Sequence, residues 1–268
     1  MSFLRANGGV IHYRDEGRRD GPPLVFVNAL GSDLRIWDEV AERLAPDFRV
    51  VRYDKRGHGL SELGPSESGL DRADMADYAR DLAELLDALG VTRATVVGLS
   101  IGGLVAQALY RQRPKLFAAL VLSDTAARIG DDASWDARIA SIEAGGIEAI
   151  ADGILERWFT RDFRTRRQDD LAGWRTMLVR TPREGYLAAC GALKRADLRP
   201  FAGAIAVPTL CLVGDEDGST PVALVRETAA LIRGARFEIV RGAGHIPGIE
   251  QPGATAGLLA GHARSATP

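Results

Sequence analysis

The stretch Ala94-Thr95-Val96-Val97-Gly98-Leu99-Ser100-Ile101-Gly102-Gly103 decides the fold. A run of small and β-branched apolar residues reads as a strand covered on both faces. It ends in Gly-Leu-Ser-Ile-Gly. Behind it, Leu104-Val105-Ala106-Gln107-Ala108-Leu109-Tyr110 holds neither Pro nor Gly and reads as helix. Strand, sharp turn and helix follow one another, with a serine at the apex. The flanks of such a turn must be nearly bare, and Gly98 and Gly102 supply that. Ser100 is expected in a strained backbone conformation with its hydroxyl exposed. The helix N-terminus behind it points free N–H groups and partial positive charge at the same spot. Gly-x-Ser-x-Gly alone is a weak pattern; the strand before it and the helix after it make it specific.

Upstream, Leu24-Val25-Phe26-Val27 is a second continuous apolar run, followed by the loop Asn28-Ala29-Leu30-Gly31-Ser32-Asp33. Ile36 to Leu44 has helical spacing. Val50 to Tyr53 reads as a strand ending at Asp54-Lys55-Arg56-Gly57-His58-Gly59-Leu60-Ser61, and Phe3 to Glu16 as an opening hairpin. The polar stretch 62–74 reads as a loop. Met75, Ala79, Leu82, Leu85, Leu86 and Leu89 share one helix face, which stops at Gly90. Phe117 to Leu122 is a further buried strand, so strands and helices alternate and a parallel sheet is implied. The rhythm breaks after Thr125. Ser134 to Ala144, Ile147 to Phe159, Gln168 to Thr181 and Pro182 to Leu193 read as helices with no strand between them. The expected architecture is α/β: a mostly parallel core from residues 1–127 and 198–268, with a helical cap at 128–197. The core resumes with the strand Thr209 to Val213, a helix to Ile232, the strand Arg236 to Val240, the loop Gly242-Ala243-Gly244-His245 and a last helix. The final residues are expected to fray.

The 268 residues suffice for one domain with an insertion. A net charge of −2 suggests neither nucleic acid nor an anionic membrane as partner. No apolar run approaches the ~20 residues that span a bilayer, and the N-terminus does not read as a signal peptide. The two cysteines, Cys190 and Cys211, read as free apolar fillers, so a cytoplasmic, reducing compartment is expected.

A serine hydroxyl is a poor nucleophile until a base takes its proton. Of the four histidines, His245 follows a sheet strand, on the edge where Ser100 is expected. His58 sits in a tight loop and reads as structural. The base needs a carboxylate to fix its tautomer, and Asp215, Glu216 and Asp217 all follow the preceding strand. The order Ser, acid, His along the chain is that of one known arrangement of such residues. The oxyanion of an acyl-transfer intermediate needs two N–H donors. The backbone N–H groups of Ile101 and Leu30 are the candidates, although Asn28–Gly31 could also be an ordinary turn. Asp54-x-Arg-Gly-x-Gly-x-Ser is not a phosphate loop, and its glycines read as tight packing with Asp54 and Arg56 pinning neighbouring loops.

These motifs together resemble the α/β-hydrolase superfamily over essentially the whole chain. In that family the acid is usually the third residue after the strand-end glycine Gly214, which is Asp217; Asp215 and Glu216 are then expected to be solvated loop carboxylates. A dehalogenase of the superfamily would carry Asp at position 100. Within the superfamily the chain is most similar to the 3-oxoadipate enol-lactonases. That resemblance rests on Asn28–Asp33, Ser123-Asp124-Thr125-Ala126-Ala127-Arg128-Ile129, Trp135-Asp136-Ala137-Arg138-Ile139, Arg157-Trp158-Phe159-Thr160 and Thr181-Pro182-Arg183-Glu184-Gly185-Tyr186. The segment Gly244-His245-Ile246-Pro247-Gly248-Ile249-Glu250 is closer to the general superfamily. The resemblance implies hydrolysis of the enol-lactone of 3-oxoadipate in the β-ketoadipate route, by Ser100, His245 and Asp217, without metal or organic cofactor. A carboxylesterase, a hydrolase of carbon–carbon bonds and a ligand receptor on the same fold are the alternatives. The expected substrate is a small anionic lactone. Arg138, three residues after Trp135 on one helix face, is expected to hold its carboxylate, with Trp135 against the lactone ring. The alternative is a solvated Arg138 and a Trp135 that packs the cap on the core. The sequence is silent on oligomeric state.

Overall fold

The computed structural model describes residues 2–64 and 73–266. Most of the loop expected at 62–74 and the expected fraying at 267–268 lie outside the described residues. The opening hairpin is β1 (Ser2–Ala6) and β2 (Gly9–Gly17). Then come β3 (Pro23–Val27), β4 (Arg49–Tyr53), β5 (Ala94–Leu99), β6 (Phe117–Ser123), β7 (Thr209–Gly214) and β8 (Arg236–Val240). They form one sheet in the order β1-β2-β4-β3-β5-β6-β7-β8. The hairpin strands and β2 on β4 pair antiparallel; every other neighbour pair is parallel. β5 and β7 are buried along their whole length, as their unbroken apolar sequences require.

The helices on the sheet include α1 (Asp38–Leu44), α2 (Met75–Ala88) and α3 (Ile101–Gln112). The helix expected from Ile36 starts as a 3-10 turn at Leu34–Trp37, where the Asp33 carboxylate accepts the Arg35 N–H. Strand order sets the place of the site. The chain runs from β3 outward to β4, then returns to β5 on the other side of β3. Open parallel sheets place ligands beyond the strand ends at such a reversal. The register pairs Val27 with Gly98 and Leu99 with Ser123, so the loops after β3, β5 and β6 leave the sheet side by side.

Between β6 and β7 the chain is helical: α4 (Asp132–Gly145), α5 (Glu148–Trp158), α6 (Arg161–Arg166), α7 (Gln168–Val179), α8 (Arg183–Arg195) and α9 (Arg199–Ala202). The Leu198 N–H donates to the Ala127 carbonyl at 2.8 Å, so the two ends of this segment meet. Helix α6 is absent from the sequence reading because six residues are too few to show a period. Its signal is Thr160, whose hydroxyl caps the Phe163 N–H at 3.1 Å. The remaining core helices are α10 (Val222–Leu231), α11 (Pro247–Glu250) and α12 (Pro252–Ser265).

The helical segment seats on the core backbone to backbone. A Cβ built on Gly185, at the start of α8, would stand 2.1 Å from the Gly57 carbonyl oxygen. Any side chain there must push α8 off the loop that carries Gly57. Gly185→Ala is expected to cost roughly 1–3 kcal/mol, the scale of overpacking. Thermal unfolding checks this, and an unshifted midpoint would contradict the close seating.

Candidate active site

Ser100 has φ +57° and ψ −122°, the strained turn expected of it. Both glycines are required by contact. A Cβ on Gly98 would lie 2.3 Å from the Gly102 carbonyl oxygen, and one on Gly102 2.3 Å from that of Val27. The Ser100 N–H donates to the Ser123 carbonyl at 3.0 Å, and the Thr125 hydroxyl donates to the Ser100 carbonyl at 2.6 Å. Ile101 then opens α3, where backbone N–H groups have no partner within the helix.

The loops after β7 and β8 are neighbours because Gly214 pairs with Val240. They bring Asp217 and His245 together: Nδ1 lies 2.9 and 3.0 Å from the two carboxylate oxygens. Both groups are buried. Asp217 also accepts the Ser219 N–H at 2.7 Å, the Thr220 N–H at 3.0 Å and the Thr220 hydroxyl at 2.6 Å. Burial alone would raise its pKa; the His245 charge, its hydrogen bond and the Thr220 donors outweigh that and hold the carboxyl below its ordinary range. Asp215 is not the solvated carboxylate that the sequence suggested. It accepts the Gly242 N–H at 2.7 Å and the Ala243 N–H at 3.3 Å, tying down the loop that carries His245. Glu216 is exposed.

A second carboxyl group stands beside this pair, one that the sequence named only within a family-like string and gave no role. Asp124, at the end of β6, accepts the Ser123 hydroxyl at 2.6 Å and the Gly214 N–H at 2.8 Å. Donor atoms of Asp124, Asp217 and His245 all lie within 4.8 Å of one another. Three such groups could in principle hold a cation, but the oxygens of Asp217 are already engaged by four donor groups. Burial, and then the Asp217 charge, push Asp124 well above the carboxylate range, so it keeps its proton. The signal for it was an acid placed directly after an unbroken apolar strand.

Ser100, His245, Leu30, Trp135 and Arg138 line one cavity of about 230 Å³. Leu30 stands at its wall, and among the described residues its N–H meets no acceptor. The Trp135 indole N–H donates to the Ile129 carbonyl at 2.8 Å, and the Arg138 guanidinium lies over the indole, 4.9 Å from its centroid. One face of Trp135 is therefore taken by Arg138 and is closed to the lactone ring expected there. A further cation, Arg157, lines the same cavity. Burial and then the Arg138 charge lower its pKa. Lys194 pairs with Asp136 and Arg167 with Asp170. Among the described residues neither Arg138 nor Arg157 forms a salt bridge. In the sequence Arg157 stood only within a string that carries the family resemblance and had no role of its own; the direction of α5 brings it to the cavity.

The other histidines have partners away from Ser100. His12 Nδ1 lies 2.8 Å from Asp54, His58 Nδ1 3.1 Å from the Arg56 carbonyl, and His262 Nε2 3.2 Å from that of Leu120. Asp54 and Arg56 do pin loops: Asp54 accepts the Leu34 and Leu60 N–H groups, and Arg56 pairs with Asp81 on α2.

The raised Asp124 has a consequence for stability. The unfolded chain ionises near the ordinary ~3.9, while the folded chain keeps the proton. The stability this group contributes is therefore fully present below about pH 4 and is lost as pH rises toward the folded value. Asp124→Asn keeps the shape and removes the ionisation. It should raise the unfolding midpoint more at about pH 8 than at about pH 4.5. An equal effect at both pH values would contradict a protonated Asp124.

Comparison with known proteins agrees with this geometry. The model of the alpha/beta hydrolase family matches residues 24–258. A 3-oxoadipate enol-lactonase of Acinetobacter baylyi is 33% identical over 249 residues, 93% of this chain and 91% of that protein. The crystal structure of the enol-lactonase from Burkholderia xenovorans LB400 superposes with a TM-score of 0.92 at 37% identity, covering 97% of this chain and 99% of that one. A thermophilic esterase from Thermogutta terrifontis, solved with malate bound, gives a TM-score of 0.91 at 28% identity over 100% of both chains. Among the described residues no helix is long and apolar enough to cross a membrane. The chain belongs to the alpha/beta hydrolase family and, within it, resembles the 3-oxoadipate enol-lactonases.

Proposed function

We propose that the chain is a serine hydrolase that opens a small anionic enol-lactone, the enol-lactone of 3-oxoadipate, in the β-ketoadipate route of aromatic catabolism. The observation that carries the reading is the pair Arg138 and Arg157 in the cavity of Ser100 and His245. Two cations without a carboxylate partner repel one another, and an anion between them relieves that cost. Arginine offers a planar fork that fits a carboxylate. The similarity to enol-lactonases in sequence and structure points the same way. Buried free thiols at Cys190 and Cys211 support a cytoplasmic setting. The helical segment between β6 and β7 serves as the cap over the site.

Each step needs only proton and electron-pair movements. Ser100 Oγ attacks the lactone carbonyl carbon, His245 Nε2 takes the hydroxyl proton, and the carbonyl pair moves to oxygen. The N–H groups of Leu30 and Ile101 donate hydrogen bonds to that oxygen. Asp217 stabilises the imidazolium and holds its tautomer, and the protonated Asp124 beside it adds no second negative charge. Collapse breaks the ring C–O bond, and His245 returns the proton to the departing enol oxygen. The enol ketonises, which makes ring opening hard to reverse. Water deprotonated by His245 then attacks the acyl carbon, the acyl–Oγ bond breaks as His245 returns the proton to Ser100 Oγ, and 3-oxoadipate leaves. Trp135 supports Arg138 from below.

Kinetics on two substrates test the assignment. Arg138→Leu and Arg157→Leu should each raise KM for the enol-lactone roughly tenfold or more, the scale of a charged hydrogen bond. Hydrolysis of p-nitrophenyl acetate should stay nearly unchanged. Equal losses on both substrates would refute the anion site, and a wild-type preference for the neutral ester would favour a general esterase. Asp217→Asn should lose on the order of 10⁴ in kcat, by analogy with other triads. Asp215→Asn, which only loosens the His245 loop, should lose far less. A reversed order would move the acid's role to Asp215.

A further inference from the structure

The loop after β4 buries an amino group that the mechanism above leaves unused. Lys55 is 1% exposed. A buried ammonium is costly unless it is well engaged. Burial pulls this one down to about 7, against the upward pull of Asp54 and Asp33. Its nearest hydrogen-bond acceptor is a backbone oxygen: Nζ donates to the Ala29 carbonyl at 2.6 Å, with the Ser32 carbonyl at 3.4 Å.

The Ala29 carbonyl belongs to the same peptide group as the Leu30 N–H. In a trans peptide the C=O and N–H point in opposite directions. A cation held on the oxygen therefore leaves the N–H aimed away from Lys55. It also draws electron density toward the oxygen and strengthens the N–H as a donor. Ser32 adds its hydroxyl at 2.9 Å and its N–H at 3.3 Å to the same oxygen. The start of the loop is fixed as well. The Asn28 side chain donates to the Tyr53 carbonyl at 2.8 Å and accepts the Trp37 indole N–H at 3.0 Å. At the other end of the peptide, Leu30 lines the cavity with Ser100 and His245.

We propose that Lys55, with Ser32 beside it, is a positioning residue of the oxyanion site: its amino group fixes the 29–30 peptide by the hydrogen bond to the Ala29 carbonyl, and in its protonated form also polarises it, so that the Leu30 N–H meets the negative oxygen formed when Ser100 attacks. This role rests on the hydrolase reading. It gives a buried cation a function in the reaction without contact to substrate. A purely structural Lys55 would hold the loop in shape and nothing more, and its loss would disturb ground-state binding as much as turnover.

Lys55→Met keeps the length of the side chain and removes the charge. It should lower kcat for the lactone about tenfold, less than the ~10²–10³ of deleting an oxyanion donor outright, with KM little changed. A trifluoromethyl ketone carrying a carboxylate reads the oxyanion directly. Ser100 Oγ adds to its carbonyl carbon, the proton passes to His245 and the carbonyl pair becomes the alkoxide. Its Ki should rise by the same factor as kcat falls, while affinity for 3-oxoadipate stays put. A folded Lys55→Met with unchanged kcat and Ki would overturn the proposal, as would a parallel loss of product affinity. Should that variant not fold, Ser32→Ala is read in the same way. It should lower kcat severalfold at constant KM, and an unchanged kcat would overturn the proposal. A wild-type chain that the ketone does not inhibit contradicts the hydrolase reading itself, and this role with it, before any variant is made.

Discussion

The backbone of Ser100 is held at φ +57° between a buried strand and a helix, and the whole site is measured from that residue. A non-glycine residue in such a region costs about 1–3 kcal/mol. The cost is offset locally. The Ser123 carbonyl and the Thr125 hydroxyl hold the peptide groups on either side, at about 1 kcal/mol for each hydrogen bond. Gly98 and Gly102 let β5, α3 and the end of β3 close to distances that any Cβ would prevent. The same closure puts the Leu30 loop beside the serine, because Val27 and Gly98 are register partners. One tight turn thus fixes the nucleophile candidate, the helix terminus behind it and the loop across from it.

Charge is distributed around that turn with care for its sign. Behind His245 lie two carboxyl groups, of which one is ionised and one is held protonated by burial and by its neighbour. Asp124 therefore fills space and satisfies the Gly214 N–H without adding a second negative charge next to the imidazole. In front, the cavity wall carries Arg138 and Arg157. Lys55 Nζ lies against the Ala29 carbonyl of the Leu30 loop. The two arginines thus face the cavity, while the Asp217 carboxylate stands at the Nδ1 side of the His245 ring. Such fixed charges act more strongly in a dry site than in water.

Much of this was legible in the sequence, for physical reasons. Buried parallel strands leave unbroken apolar runs, so β3, β5, β6 and β7 could be read within a residue or so. Ser100, Asp217 and His245 stand in loops of fixed spacing after strands that share an edge, and the structure brings all three to that edge. What could not be read depends on side-chain direction. The residues alone left Asp215 and Asp217 open, and only the family spacing favoured Asp217, because the turn decides that one faces the His245 ring while the other faces the Gly242 N–H. Arg157 stood in a family-like string without a role, and its place at the cavity depends on the direction of α5. Trp135 was expected to face a ligand; it lines the cavity, and one of its faces carries Arg138. Lys55 lay in a glycine-rich stretch that packing alone seemed to explain.

Labelling of the intact wild-type chain with a fluorophosphonate, followed by peptide mass spectrometry, tests the central claim most directly. An activated serine beside a base and an oxyanion site attacks phosphorus, gives its proton to the base, expels fluoride and keeps the phosphonyl group. The expected result is a single adduct, on the peptide that contains Ser100, formed far more slowly once His245 is replaced. An unlabelled chain, or an adduct on another serine with Ser100 free, would contradict a serine nucleophile at this turn.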